Sequence, residues 1–365
     1  MKDFEMKLNR IYGYLEKNNY DGMILGRRDN FSWLTGGEES GVVLNMETGF
    51  VYLVITRTKR WAVAMRADID RAMQEQLLGA DFEPCELDWK SISKEEQAVK
   101  LLGGGKIVSD IPIEGAVADL EGIYSLEYPM TQTEVERYKV FGKLCDRILK
   151  YTADKIRRGM TENEIKRIFI QQCLQYDIDI DVLLIGSDER ISCYRHCTPT
   201  DKVIEKTVLI SPALRKKGLH ANLARMISIG EPDGELRKKY NDVCEIQAKI
   251  IAASKKGVRF TDILNLQEKL YEEKGYADEW MKHLHGGPIG YMLTDGAAMF
   301  NPEKTMSTGQ AYEWYVTVTG AKSAELIMNI EDQITVLSLG GYWPEREYGD
   351  GAENTVSLPD ILVLE

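Results

Sequence analysis

Four histidines, His196, His220, His283 and His285, and two cysteines, Cys193 and Cys197, carry most of the chemistry that residue type and spacing allow this chain. His196 sits in a polar loop beside Arg195, with Asp188, Glu189 and Asp201 close in sequence, where an imidazole can carry a proton near neutral pH. A lone loop histidine on the surface is the plain alternative. Cys193 and Cys197 flank it, but a single C-x-x-x-C without a second pair is a weak thiol motif, and structural thiols are the expected reading. A nucleophile–base dyad of Cys197 and His196 fails on geometry, because neighbours on extended chain point to opposite faces. His283 and His285 are two apart, which on a strand puts both on one face, and a pair of His-rich segments suggests zinc or manganese. No carboxylate cluster lies near them, and Ser211 and Asn222 stand where a hard metal would want Asp or Glu. Arg195, Arg225 and Lys322 could bind a substrate carboxylate, His285 and Tyr291 could hydrogen-bond the reacting group, and Trp314 could form an apolar wall. For these six the alternative is ordinary structure, since strand Arg and Lys are often solvated and Tyr and Trp are usually core.

The elements that must position these residues follow from apolar period and turn residues. Residues 2–19 suit a surface helix with Phe4, Leu8, Ile11, Tyr12 and Leu15 on one side, leading into the buried strand DGMILG. GVVLN and GFVYLVIT read as two strands, and Arg60 to Leu78 has helical periodicity. A strand near residues 106–109 completes a small α/β domain ending at 128. From 129 onward a long amphipathic helix carries Val135, Tyr138, Phe141, Cys145, Ile148, Thr152 and Ile156 on one face, ended by Gly159. Thr161 and Glu164 form a capping box, opening a helix that leads into the strand DIDVLLIGS. Thr207 to Ala213 and His220 to Ile229 look like paired strands joined by the basic hairpin Arg215-Lys216-Lys217-Gly218. RRGMTENEI recurs 98 residues later as KKGVRFTDI, between helices near 235–254 and around Ile263, Leu266 and Leu270, with a strand-like segment after Gly275. The echo points to a duplicated helix-helix-strand unit closing around a shared sheet.

A chain of 365 residues, 44% hydrophobic and 28% charged, is long enough for two domains, 1–128 and 129–365. The net charge of −12 argues against nucleic acid or an anionic membrane as main partner. The amino terminus lacks a signal peptide's apolar core, and no run approaches a membrane span. Six scattered cysteines fit free thiols, so a cytoplasmic setting is expected.

The order of an α/β domain, then a duplicated half with His196-Cys197-Thr198-Pro199-Thr200-Asp201, the strand pair, HGGPIGY and a C-terminal ribbon, resembles the creatinase, Xaa-Pro aminopeptidase and methionine aminopeptidase superfamily. The resemblance covers essentially the whole chain. It implies an α/β (α+β) protein: a creatinase-like N-terminal domain and a pita-bread domain. It also implies two metal ions held by two aspartates, a histidine and two glutamates. The corresponding positions here are Ser211, Asn222, Gly287, Tyr315 and, by two competing alignments, Ala324 or Glu331. Such residues cannot replace ionised carboxylates and imidazole around a divalent cation, so no catalytic metal and no other cofactor is expected. In metal-free creatinase the histidine matching His196 is the general acid/base in cleaving a guanidino C–N bond. The creatinase glutamate that binds the guanidinium is Ala224 here, which counts against creatine itself. The expectation is a metal-independent hydrolase of a small polar molecule, with His196 catalytic, no nucleic-acid or membrane partner, and, by analogy, a homodimer. A non-catalytic binding module and a working Xaa-Pro dipeptidase are the alternatives, the last requiring metal.

Overall fold

The structure, a computed structural model, describes residues 2–90, 92–295, 299–349 and 355–365. The chain forms two compact units, Met1–Thr133 with Lys217–Leu219, and Glu134–Lys216 with His220–Glu365.

The first unit is built on a six-stranded mixed sheet. Its central strand, Gly22–Arg27, pairs antiparallel with Thr48–Ile55 and parallel with Ile107–Ser109. Helix Lys2–Lys17 buries Leu8, Ile11 and Leu15, as its period demands. Two expectations need correction. Arg60–Met65 is a strand paired with Thr48–Ile55, not the start of a helix. The short run Trp61-Ala62-Val63-Ala64 satisfies either period, and the open sheet edge decides it. GVVLN is not a strand: Leu44 is 80% exposed, and the neighbouring strands already have partners on both sides.

In the second unit the helix Gln132–Ala153 buries Val135, Tyr138, Phe141, Cys145, Ile148 and Thr152, and stops six residues before Gly159. The Thr161 side chain accepts from the Glu164 amide while Glu164 reaches back to the Thr161 amide, the reciprocal cap that starts Glu162–Gln175. Strands Asp179–Ser187, Thr207–Lys216 and Arg225–Ile229 follow as antiparallel neighbours, and the C-terminal Leu362–Leu364 adds in parallel.

The second copy repeats the plan with helices Gly234–Ala253 and Phe260–Glu273 and strands Gly286–Ile289, Ala311–Val318, Ala321–Ile330 and Gln333–Val336. The segment just after Gly275 is a short helix, Ala277–Trp280, where extended chain was expected. The strand Gly286–Ile289 approaches its neighbour so closely that a Cβ on Gly286 would lie 2.0 Å from the Glu313 carbonyl oxygen. Glycine is required there.

The two sheets meet at a backbone bridge, where the Ala224 amide donates to the Ala324 carbonyl at 3.0 Å. Beside it lies the most buried cation of this unit. Arg225, fully buried, pairs with Glu325 at 2.6 Å and Asp146 at 3.1 Å, both fully buried, and donates to the Ala224 and Ser338 carbonyls. Three elements, the Arg225–Ile229 strand, the Ala321–Ile330 strand and the Gln132–Ala153 helix, are thereby locked around the seam. No helix among the described residues is long and apolar enough to cross a membrane.

Candidate active site

Strand alternation builds the site. Across the hairpin of Ala311–Val318 and Ala321–Ile330 the register pairs Thr317 with Lys322 and Tyr315 with Ala324, so Glu313, Tyr315, Lys322 and Ala324 share one face. The opposite face, with Trp314, Val316 and Ile327, packs into the core under helix Gly234–Ala253. The polar face looks across a cavity of about 160 Å³ at Ser211 and Asn222 of the other sheet. His196 and His283 close it.

The two imidazoles touch: His196 Nε2 is 3.0 Å from His283 Nε2, with the rings edge-on at 5.0 Å between centroids. His283 Nδ1 faces the Leu284 carbonyl, which can only accept, so Nδ1 carries hydrogen. Burial first, and Lys322 next, lower the His283 imidazole to about 4, so it is neutral and its Nε2 is an acceptor. His196 Nε2 therefore donates to it, which leaves Nδ1 as the basic nitrogen of His196. Burial and then Lys322 also lower His196 below the ordinary histidine value, keeping it unprotonated at neutral pH.

Glu313 is fully buried and accepts from the Tyr315 hydroxyl at 2.9 Å and from the Asn222 amide. Burial pushes its carboxyl up to about 8, against those hydrogen bonds and the Lys322 ammonium, which favour the anion. Burial lowers Lys322 to about 8, with Glu313 opposing and Arg195 adding to the shift. Folded Glu313 keeps its proton up to about 8, whereas an ordinary glutamate loses it near 4.5. Between those values the folded state binds more protons than the unfolded, so this group's contribution to stability falls as pH rises. Glu313→Gln is therefore expected to gain stability relative to wild type on going from pH 5 to pH 8, read as the difference in urea midpoints. A difference that is flat with pH would show that Glu313 ionises normally.

Of the residues given a catalytic or substrate-binding role from sequence, the cavity brings together His196 and Lys322. The others lie elsewhere in the same unit. Arg195 is ion-paired with Glu279, which also accepts from the Thr319 amide at 3.0 Å. Arg225 is consumed by Asp146 and Glu325. His285 stacks on Trp280 at 3.8 Å and bonds the Trp280 carbonyl at 2.7 Å, so it diverges from His283 instead of sharing its face; residues 283–285 precede the strand. Tyr291 is buried against Arg137. Trp314 is fully buried, donating to the Ser254 hydroxyl at 2.9 Å on the core side of its strand. His220 bridges Asp181 at 3.1 Å and the Gly290 carbonyl at 3.1 Å. Glu313 and His283 were not assigned roles from sequence. The alternation of Glu313 and Tyr315 against Lys322 and Ala324 about the Thr319-Gly320 turn was the signal that could have found Glu313.

The five positions expected to match metal ligands do not form a metal site. Ser211, Asn222, Tyr315 and Ala324 line one cavity, and Tyr315 faces Ala324 across the ladder, while Glu331 sits exposed in the turn after Ile330. Ala324 is thus the residue opposite Tyr315, which decides between the two ribbon alignments. At Gly287, φ is 147° and a Cβ would come 2.9 Å from Met299 Cγ, so the backbone there is shaped for glycine. Among the described residues no group of three or more His, Cys, Asp or Glu side chains is arranged to hold a metal ion. A buried ammonium in the cavity adds repulsion toward any cation. This donor set does not fit a pair of divalent metals.

The match to known proteins runs through the same segment. Residues 136–338 match metallopeptidase family M24. An uncharacterized peptidase of Staphylococcus aureus (strain bovine RF122 / ET3-1) is 24% identical over 205 residues, 55% of this chain and 55% of that protein. The chain thus spans about half the length of the curated relatives it matches. An Xaa-Pro dipeptidase from Bacillus anthracis has a TM-score of 0.76 at 16% identity, covering 99% of this chain and 100% of that one. An X-Pro aminopeptidase from Thermotoga maritima also has a TM-score of 0.76, at 19% identity, with 98% and 99% covered. These likenesses establish the two-domain α/β (α+β), pita-bread fold. With its duplicated half matched from the first long helix to the end of the ribbon, the chain belongs to metallopeptidase family M24.

Proposed function

We propose that the protein is a metal-independent hydrolase of this family, cleaving a C–N bond in a small amino-acid-derived, guanidino or amide substrate, with His196 as general acid/base. The observation that carries the reading is the composition of the cavity. At four of the positions where the family resemblance implies ligands it presents a hydroxyl, an amide, a phenol and a methyl, and beside them a neutral imidazole pair and a buried lysine. His196 takes a proton from the attacking water and returns it to the leaving nitrogen. Its lowered pKa keeps it a base at neutral pH, and its bond to His283 fixes the tautomer. Glu313, whose proton affinity burial raises, is the acid of the same cavity. The cavity volume of about 160 Å³ lies at the small end of ligand sites. It favours a small molecule over a peptide. By analogy with the fold, a homodimer is the expected working form.

The test is a turnover screen of guanidino and amide compounds on purified protein, with bound metal quantified and repeated after chelation. Turnover unchanged by chelation, without stoichiometric metal, is the expected result. Stoichiometric manganese, zinc or cobalt whose removal abolishes turnover would return the protein to the dinuclear peptidases.

A further inference from the structure

We propose that the cavity holds a carboxylate subsite centred on Lys322, so that the substrate is a small monoanionic carboxylic acid. The inference rests on the hydrolase reading for the word substrate, but the subsite itself stands on charge and geometry. Lys322 is 6% exposed, on the cavity face of its strand. Among the described residues no carboxylate lies within 4.0 Å of its ammonium, and Nζ sits over the Tyr315 ring, 5.6 Å from the centroid. A buried ammonium without an ion pair is costly, and a ligand carboxylate would offset that cost.

The groups facing Lys322 leave that charge uncompensated. Burial raises the Glu313 carboxyl toward its neutral form and makes no ion pair of it with Lys322, His196 and His283 are lowered and neutral, and burial raises the Cys197 thiol, so it stays protonated. Tyr315 is raised well above neutral pH. Arg195, the other nearby cation, has its own partner in Glu279. Lys322 is thus the cation of this cavity without an ion pair among the described residues, which one substrate carboxylate would supply. Arg195 and Arg225 are both spent on structural acids, so of the three cations considered from sequence only Lys322 can receive a substrate anion. Asn222, whose Oδ1 is buried without a hydrogen-bond partner, offers an acceptor to a substrate N–H in the same space.

The test uses acetate and its uncharged isostere acetamide, titrated into the full-length protein at pH 7 and fixed ionic strength, with binding read by saturation transfer to their methyl groups. Acetate is expected to bind saturably and acetamide at least tenfold more weakly. Lys322→Met is expected to weaken acetate at least tenfold while Lys322→Arg retains it, and His196→Gln leaves acetate binding intact. Equal binding of acetate and acetamide by the wild type, a comparison that needs no variant to fold, overturns the proposal. So does acetate binding unchanged in Lys322→Met. Acetate binding without any turnover would remove the hydrolase reading and leave the subsite standing; turnover of an uncharged amide without acetate binding would do the reverse.

Discussion

Replacing His196 by glutamine is expected to lower kcat by about 10²–10⁴-fold on any compound the protein turns over, with KM nearly unchanged. Glutamine can still donate to His283 Nε2, now the acceptor of a hydrogen bond from His196 at 3.0 Å, but it cannot take up a proton. The loss should therefore appear in the chemical step and not in binding or folding. The pH dependence of kcat/KM adds a signature that a structural role would not produce. Because burial and Lys322 lower the His196 pKa, the acidic limb of the wild-type profile should lie below the usual histidine value near 6.5. In Lys322→Met that limb should move up, toward the ordinary value, since one of the two depressing influences is gone. A glutamine variant with near wild-type kcat would remove His196 from the chemistry and favour a binding role for the cavity.

The second large effect concerns the seam. Arg225→Met is expected to cost about 3–5 kcal/mol, seen as a lower urea midpoint, because it leaves Asp146 and Glu325 buried without their cation. Both carboxylates are fully buried, so water cannot replace the guanidinium. Asp146 also accepts from the Gly340 amide at 3.0 Å, so the damage should reach the segment after the ribbon. Combining Arg225→Met with Asp146→Asn and Glu325→Gln should recover much of the loss, because the uncompensated charges are then gone. A single variant as stable as wild type would mean that the carboxylates are protonated without Arg225 and that the triad is dispensable. Lost stability here is also the control for the cavity: a fall in activity of Arg225→Met reports the frame, not a substrate contact.

The helices and their caps were readable because they are set by neighbours three and four residues away: the capping box of Thr161 and Glu164, and the stripe from Val135 to Thr152, need no distant partner. The same local logic fails for Arg60–Met65, where six residues satisfy either period until a sheet edge selects one. The duplicated order of helices and strands was likewise legible as an echo of short motifs.

The site was legible only in part. His196 stands out by type, and strand alternation with a two-residue turn contains the shared face of Glu313, Tyr315, Lys322 and Ala324. What sequence could not settle is which cations keep their charge for a ligand. Arg195, Arg225 and Lys322 look alike in the chain, yet Glu279 lies 84 positions from the first, and Asp146 and Glu325 lie 79 and 100 from the second. Ion pairing and burial act through space, across elements distant in the chain. By itself the sequence determined the family, the repeat and the residue types lining the ligand positions; the tertiary structure alone decided that two of three candidate cations are spent, that Glu313 is buried where its proton affinity rises, and that His196 meets His283, because each depends on contacts through space between segments that local period cannot bring together.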